Sequence, residues 1–115
     1  MIQQNKIPTR EVSLKQEKAI EKALKVNRTP NSGATAFIKG DLQDERWVIE
    51  AKTCMEAKKS FSIKKTWLET LREEMYASNK DYRALCFDFG DNKDRFYILD
   101  ENTFKYVKEL LDNEP

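Results

Sequence analysis

Asp41, Glu50 and Lys52 fall within one short stretch, Gly40-Asp41-Leu42-Gln43-Asp44-Glu45-Arg46-Trp47-Val48-Ile49-Glu50-Ala51-Lys52. Two carboxylates and an amine within reach of one another can carry metal-assisted hydrolysis. The acids grip a hard divalent cation, and the cation acidifies a water. Whether they come within reach depends on the local fold. Trp47, Val48, Ile49 and Ala51 read as a buried strand. Strand side chains alternate, so Glu50 and Lys52 point to one side, with Val48 beside them. Asp44-Glu45-Arg46 is polar and suits a turn. A two-residue turn at Glu45-Arg46 sets Asp41 opposite Glu50, and a register two residues away sets it opposite Lys52. Either brings the three groups together. Adjacent carboxylates on an apolar hairpin repel, so a divalent cation is expected to offset them, and all-oxygen ligands favour Mg²⁺ or Mn²⁺.

The chain has no histidine. That excludes a Ser-His-Asp triad, histidine metal sites and an imidazole base, and leaves carboxylates, lysine, tyrosine or metal-bound water for any catalysis. The net charge of +1 hides an asymmetry. Residues 1–65 carry 14 Lys/Arg against 8 Asp/Glu, whereas residues 66–115 carry 7 against 12. The acidic hairpin therefore sits in the basic half, an arrangement in which lysines attract phosphates and acids hold a metal. Scattered solvated lysines are the plain alternative.

At 115 residues the chain is expected to form one domain, with residues 1–12 a flexible arm and residues 13–115 the folded unit. A hydrophobic content of 39% permits one modest core, and a charged content of 36% predicts a highly charged surface. No apolar run is long enough to span a bilayer, and no apolar signal core opens the chain. A cytoplasmic protein without a membrane partner is expected. Cys54 and Cys86 lie in apolar segments without metal-ligand spacing, which predicts reduced thiols.

The elements that must position the chemistry follow from periodicity. Ser13-Leu14-Lys15-Gln16 fits a capping box, opening a helix to about Lys25 with Leu14, Ile20 and Leu24 as its apolar stripe. Glu17 falls within that stripe, where a carboxylate is costly unless paired or metal-bound. Pairing with a lysine one turn away is the alternative. A short strand follows, then a polar loop. In that loop Asn31-Ser32-Gly33 suits a plain turn or a phosphate-binding loop. Hairpin arms are expected over Phe37–Gln43 and Arg46–Thr53. Ser62 is placed to cap a helix from Ile63 to Ser78, with Ile63, Trp67, Leu71 and Met75 inward and Lys64 and Lys65 exposed in its first turn. Strands are expected over Arg83–Phe89 and Arg95–Leu99. A final helix reaches about Leu111, with Phe104, Val107, Leu110 and Leu111 facing inward. The order α-β-β-β-α-β-β-α predicts an α+β fold, a central mixed sheet flanked by helices.

Together these residues resemble the PD-(D/E)xK nuclease superfamily, whose signature is an acid on the second strand and (D/E)-x-K on the third. Asp41 and Glu50-Ala51-Lys52 match it, with Gly40 in place of the proline. Within the superfamily the chain is most similar to the archaeal and phage Holliday-junction resolvases. The further matches are Glu17 on the first helix, Ser32-Gly33 before the acidic strand and Lys58-Lys59-Ser60 after Glu-x-Lys.

The resemblance implies a restriction-endonuclease-like fold and a Mg²⁺-dependent endonuclease, with Mn²⁺ able to substitute. It implies that Asp41, Glu50 and the carbonyl of Ala51 bind the metal, that Glu17 assists, and that Lys52 orients the water or stabilises developing charge. Ser32 and Gly33 would contact phosphate, and Lys15, Lys18, Lys58, Lys59, Lys64 and Lys65 would follow the DNA backbone. The implied substrate is branched DNA, a four-way junction, cut by a homodimer. The rival expectations are a nuclease for flap or single-stranded DNA, a non-catalytic DNA-binding module of the same fold, and a plain structural domain.

Overall fold

The computed structural model describes residues 9–29, 40–90 and 93–115. Its elements are α1 (Thr9–Leu24), β1 (Asn27–Arg28), β2 (Leu42–Gln43), β3 (Trp47–Lys52), α2 (Lys65–Ala77), β4 (Tyr82–Phe87), β5 (Phe96–Ile98) and α3 (Glu101–Asp112). The expected order of elements is the observed one, and among the described residues it is an α+β arrangement of three helices and a five-stranded mixed sheet. The strands lie in sequence order, β1-β2-β3-β4-β5.

The β2–β3 hairpin forms around a side-chain-braced turn. Asp44 Oδ1 accepts from the backbone N–H of Arg46 (2.9 Å) and Trp47 (2.8 Å), so the carboxylate supplies what the turn backbone lacks. Arg46 in turn bonds Asp81 (2.9 Å) and lies over the Tyr82 ring, which ties the hairpin to the start of β4. Register follows from this turn: Leu42 pairs with Ile49 and Gln43 with Val48. β3 and β4 run parallel, Glu50 opposite Leu85 and Lys52 opposite Phe87. A parallel pair needs a crossover, and α2 provides it. The remaining pairs are antiparallel.

Alternation along β3 and β4 splits the core into two layers. Ile49, Ala84 and Cys86 pack with Leu42, Val26 and Ile20 of α1 on one face. Val48 and Leu85 pack with Leu71 and Met75 of α2 on the other, bordered by Ile63, Trp67 and Leu68. Fully burying each of these aliphatic side chains contributes roughly 1.5–3 kcal/mol.

Three expectations are corrected. The first helix begins at Thr9, not Ser13, so residues 9–12 belong to it and Ser13 is an interior residue rather than a cap. A proline disrupts a helix interior but is tolerated at or before a helix start, so proline at position 8 of the sequence is no argument against a helix from Thr9. On α1, Leu24 is exposed while Gln16 is buried. The second helix begins at Lys65 after an uncapped Lys64, so Ser62 caps nothing. Thirdly, α3 is capped by Asp100, which accepts from the Thr103 hydroxyl at 2.7 Å, but its apolar side does not face inward. Phe104 is 57%, Leu110 52% and Leu111 61% exposed, and only Thr103 is buried. Amphipathic spacing states which side of a helix is apolar, and among the described residues no element covers that side.

Among the described residues no helix is long and apolar enough to cross a membrane. Cys54 and Cys86 are free thiols.

Candidate active site

The hairpin register, continued by one residue, sets Asp41 opposite Glu50. Leu42 faces α1, so its neighbour Asp41 turns to the α2 side, the side that Val48, Glu50 and Lys52 share. The carboxylate is fixed there by its Oδ2, which accepts from the backbone N–H of Ala51 at 2.9 Å. This bond reaches the β3 backbone between Glu50 and Lys52, so the Glu-x-Lys spacing itself positions the aspartate. Lys52 Nζ stands 3.6 Å from Glu50 Oε2 and 4.7 Å from the centre of the Trp67 ring on α2. The ammonium therefore has a carboxylate on one side and an aromatic face on the other, both of which hold a cation in place. Asp41, Glu50, Ala51 and Lys52 are all half-buried.

The two acids are not neutralised by that one lysine. Burial and then the charges of Asp41 and Glu74 push the Glu50 carboxyl up to about 8. Burial also raises Asp41, against the opposing pull of the Ala51 N–H, Lys52 and a hydrogen bond from Glu50. Either a retained proton or a bound cation would relieve the repulsion between the two carboxylates.

A third carboxylate enters from α2. Glu74 is 2% exposed, and burial followed by the charge of Asp41 raises it to about 7, with Lys52 opposing. It lies beside Gly40. A β-carbon at position 40 would overlap Val48 Cγ2 and stand 3.3 Å from the Ile49 carbonyl and 3.6 Å from Glu74 Oε2. Glycine is thus required where the chain passes between β3 and α2 to deliver Asp41. Sequence reading missed Glu74, although the signal was present. It stands three residues after Leu71 and seven after Trp67, inside the apolar stripe of α2, the same anomaly that marks Glu17 on α1.

Glu17 is half-buried on α1, the helix across the opposite face of the sheet. Among the described charges that shift Asp41, Glu50 and Glu74, Glu17 does not figure. Its neighbour Gln16 is the residue that reaches the site's backbone. Gln16 is 1% exposed, and its Nε2 donates to the Lys52 carbonyl at 2.6 Å and to Asp88 Oδ2 at 3.2 Å. Asp88 is fully buried and also accepts from Thr53 Oγ1 (2.5 Å) and the Gly90 N–H (2.8 Å). This polar knot clamps the chain just past Lys52.

Lys15 and Lys18 lie on α1, the helix on the sheet face opposite the acids. Lys58 and Lys59 follow β3 in sequence, and the Lys58 N–H bonds the Phe89 carbonyl at 2.8 Å. Lys64 Nζ lies 5.7 Å from the Trp67 ring centre, so it shares that ring with Lys52. Lys15, Lys18, Lys58, Lys59, Lys64 and Lys65 are all exposed. Ser32 and Gly33 lie outside the described residues.

No three Asp, Glu, His or Cys side chains among the described residues converge closely enough to ligate one ion directly. Mg²⁺ does not require this, since it commonly keeps several waters and takes one or two carboxylates. The adjacent Asp41 and Glu50, two acids against the single Lys52, fit that donor set. An apolar cavity of about 290 Å³, lined by Val26, Trp47, Ile49 and Ala84, opens on the α1 face and is separate from the acids. Comparison of the chain with protein-family models, curated proteins and solved structures gave no match.

Proposed function

We propose that the chain is a divalent-metal-dependent DNA endonuclease of restriction-endonuclease-like fold. One observation carries this reading: Asp41, Glu50 and Lys52 share one face at the end of β3, with more carboxylate than the lysine can balance. A bound Mg²⁺ or Mn²⁺ supplies an acidified water for attack on a phosphodiester. Asp41 and Glu50 hold that ion, and the Ala51 carbonyl lies between Glu50 and Lys52 to join them. Lys52, braced by Trp67, directs its ammonium to the reacting phosphate, where negative charge grows in the transition state. The exposed lysines before and after β3 draw in the phosphate backbone without reading bases.

A four-way junction is the substrate favoured by the sequence resemblance. Such a junction offers two symmetric cuts and one domain has one site, so the active form is proposed as a two-fold dimer. A cytoplasmic setting suits the free thiols.

The test incubates labelled four-way junction, flap, single-stranded and linear DNA with the protein, with and without Mg²⁺. Junction cleavage that needs Mg²⁺, and is abolished in Asp41→Asn, Glu50→Gln and Lys52→Ala while folding persists, is the expected result. Wild-type rates in Asp41→Asn overturn the site. Preference for flap or single-stranded DNA, together with a monomer by sedimentation, moves the function to that class of nuclease.

A further inference from the structure

Beyond Lys52 the same face of the sheet turns aromatic. The register runs from Lys52 to Phe87 on β4 and from Phe87 to Phe96 on β5, so the three side chains form one row. Phe87 stacks on Phe96 with ring centres 5.7 Å apart, and Phe61 stacks on Phe87 at 5.3 Å. Phe89 meets Phe87 and Phe96 edge-on, at 5.6 and 6.1 Å. Trp67, which braces Lys52, lies 6.1 Å from Phe61 and closes the group on the side of the acids. Four of the chain's six phenylalanines gather here. None of the five aromatic residues is buried, and Phe96 is 49% exposed. A contiguous apolar shelf left open beside a reactive group marks a binding surface.

Charge indicates what the shelf receives. Residues 53–65 hold four lysines and one glutamate. This segment folds against the end of β4: the Lys58 N–H bonds the Phe89 carbonyl at 2.8 Å, and a β-carbon on Gly90 would overlap the Glu56 carbonyl. Its lysines are exposed, and Lys64 Nζ stands 5.7 Å from the Trp67 ring centre. Aromatic rings fringed by cations fit a polyanion that carries flat apolar groups, which is a nucleic acid with an unstacked base. A second copy of the chain fits worse, because a two-fold contact on this face sets the same lysines against one another. A base inside an intact duplex already stacks on its neighbours, so only an unpaired or opened nucleotide offers its face.

We propose that Phe61, Phe87, Phe89 and Phe96 form a base-stacking subsite that holds an unpaired nucleotide of the substrate beside the phosphate at Lys52. This inference rests on the endonuclease reading above and names its substrate class: DNA that is unpaired or opened at the cut. Stacking takes any base, since every base has a π-face, so the subsite selects structure and not sequence.

The experiment measures binding of the full chain to labelled duplex DNA by fluorescence anisotropy in EDTA. One duplex carries a single-nucleotide bulge. A second carries the same bulge as an abasic site, which keeps the phosphates and lacks the base. The parent is expected to bind the base-bearing bulge at least about fivefold more tightly, the lower end of the roughly 5- to 150-fold that one stacked base contributes. Phe96→Leu and Phe89→Leu keep an apolar side chain without a ring and should lose that preference. Phe96→Tyr should keep it, as should Phe104→Leu, which removes an exposed ring on α3. All four should bind the abasic duplex as the parent does, because the lysines remain. Equal affinity of the parent for the two duplexes overturns the proposal, as does a preference that survives in both leucine variants. A parent dimer by sedimentation that becomes a monomer in Phe96→Leu, with the base preference unchanged, also overturns it and assigns the face to a second copy. If Phe96→Leu does not fold by circular dichroism, Phe89→Leu decides alone. A parent that prefers the base-bearing bulge but cuts no DNA with Mg²⁺ supports the subsite and refutes the endonuclease reading. One that cuts DNA without the preference does the reverse.

Discussion

In EDTA, raising the pH should unfold this protein by ionising its own site. Glu50 keeps its proton to about pH 8, against 4.5 for a free glutamate. Below about pH 4.5 the carboxyl is protonated in folded and unfolded chains alike and has no effect. Between 4.5 and 8 the unfolded chain ionises freely and the folded one does not, so stability falls with each rise in pH. Above 8 the loss is complete. At 1.36 kcal/mol per pH unit the full span is worth about 5 kcal/mol, which is a large part of the roughly 5–15 kcal/mol that holds an average domain together. Glu74, raised to about 7, acts with the same sign. The two losses overlap, because the charge of Glu74 already contributes to Glu50. Lys52 and the Ala51 N–H offset part of it. Even a third of the Glu50 span, on the order of 1–2 kcal/mol, lowers the melting midpoint by roughly 5–10 °C. Thermal melts in EDTA from pH 5 to 8.5 measure this. The midpoint should fall across the range in the parent and fall less in Glu50→Gln. Added Mg²⁺ or Mn²⁺ should restore more at pH 8.5 than at pH 6, because at low pH the cation must displace protons. A flat or rising midpoint in EDTA would refute the claim that these acids are buried against one another.

Further outcomes follow from other parts of the molecule. Asp88→Ala strips the acceptor from Gln16, Thr53 and Gly90. It should cost about 2–4 kcal/mol by chemical denaturation, since buried donors are left unpaired. Phe104→Ala and Leu111→Ala touch no core, so each should change the stability of dilute protein by under ~0.5 kcal/mol, which urea titration checks. On the proposed endonuclease function, Lys58→Ala or Lys64→Ala should weaken binding to all DNA sequences about equally and reduce the salt slope by about 1, as read by fluorescence anisotropy at several salt concentrations.

The hairpin was legible because its constraints agree. A polar triplet can only turn, an alternating strand can only bury one face, and the register then leaves no freedom for Asp41. The α2 stripe was legible for the same reason. The rest depended on what stands opposite. Gln16 looked like a cap because Ser13 precedes it by three residues, yet its amide is consumed by Lys52 and Asp88, which are distant in sequence. Phe104 and Leu111 looked like core because spacing cannot say whether another element will cover them. Glu74 escaped notice because its stripe was read for leucines, whereas the buried acid on that helix was the informative residue.

Gly40 has a consequence for how such a chain can diverge over time. The proline of the signature this hairpin resembles would carry its β-carbon into Val48 on this backbone. Positions 40 and 48 are therefore not free to drift separately. In descendants or relatives, a bulkier residue before the aspartate should be accompanied by alanine or glycine at position 48. Joining Val48→Ala to Gly40→Ala should recover part of the stability that Gly40→Ala loses alone.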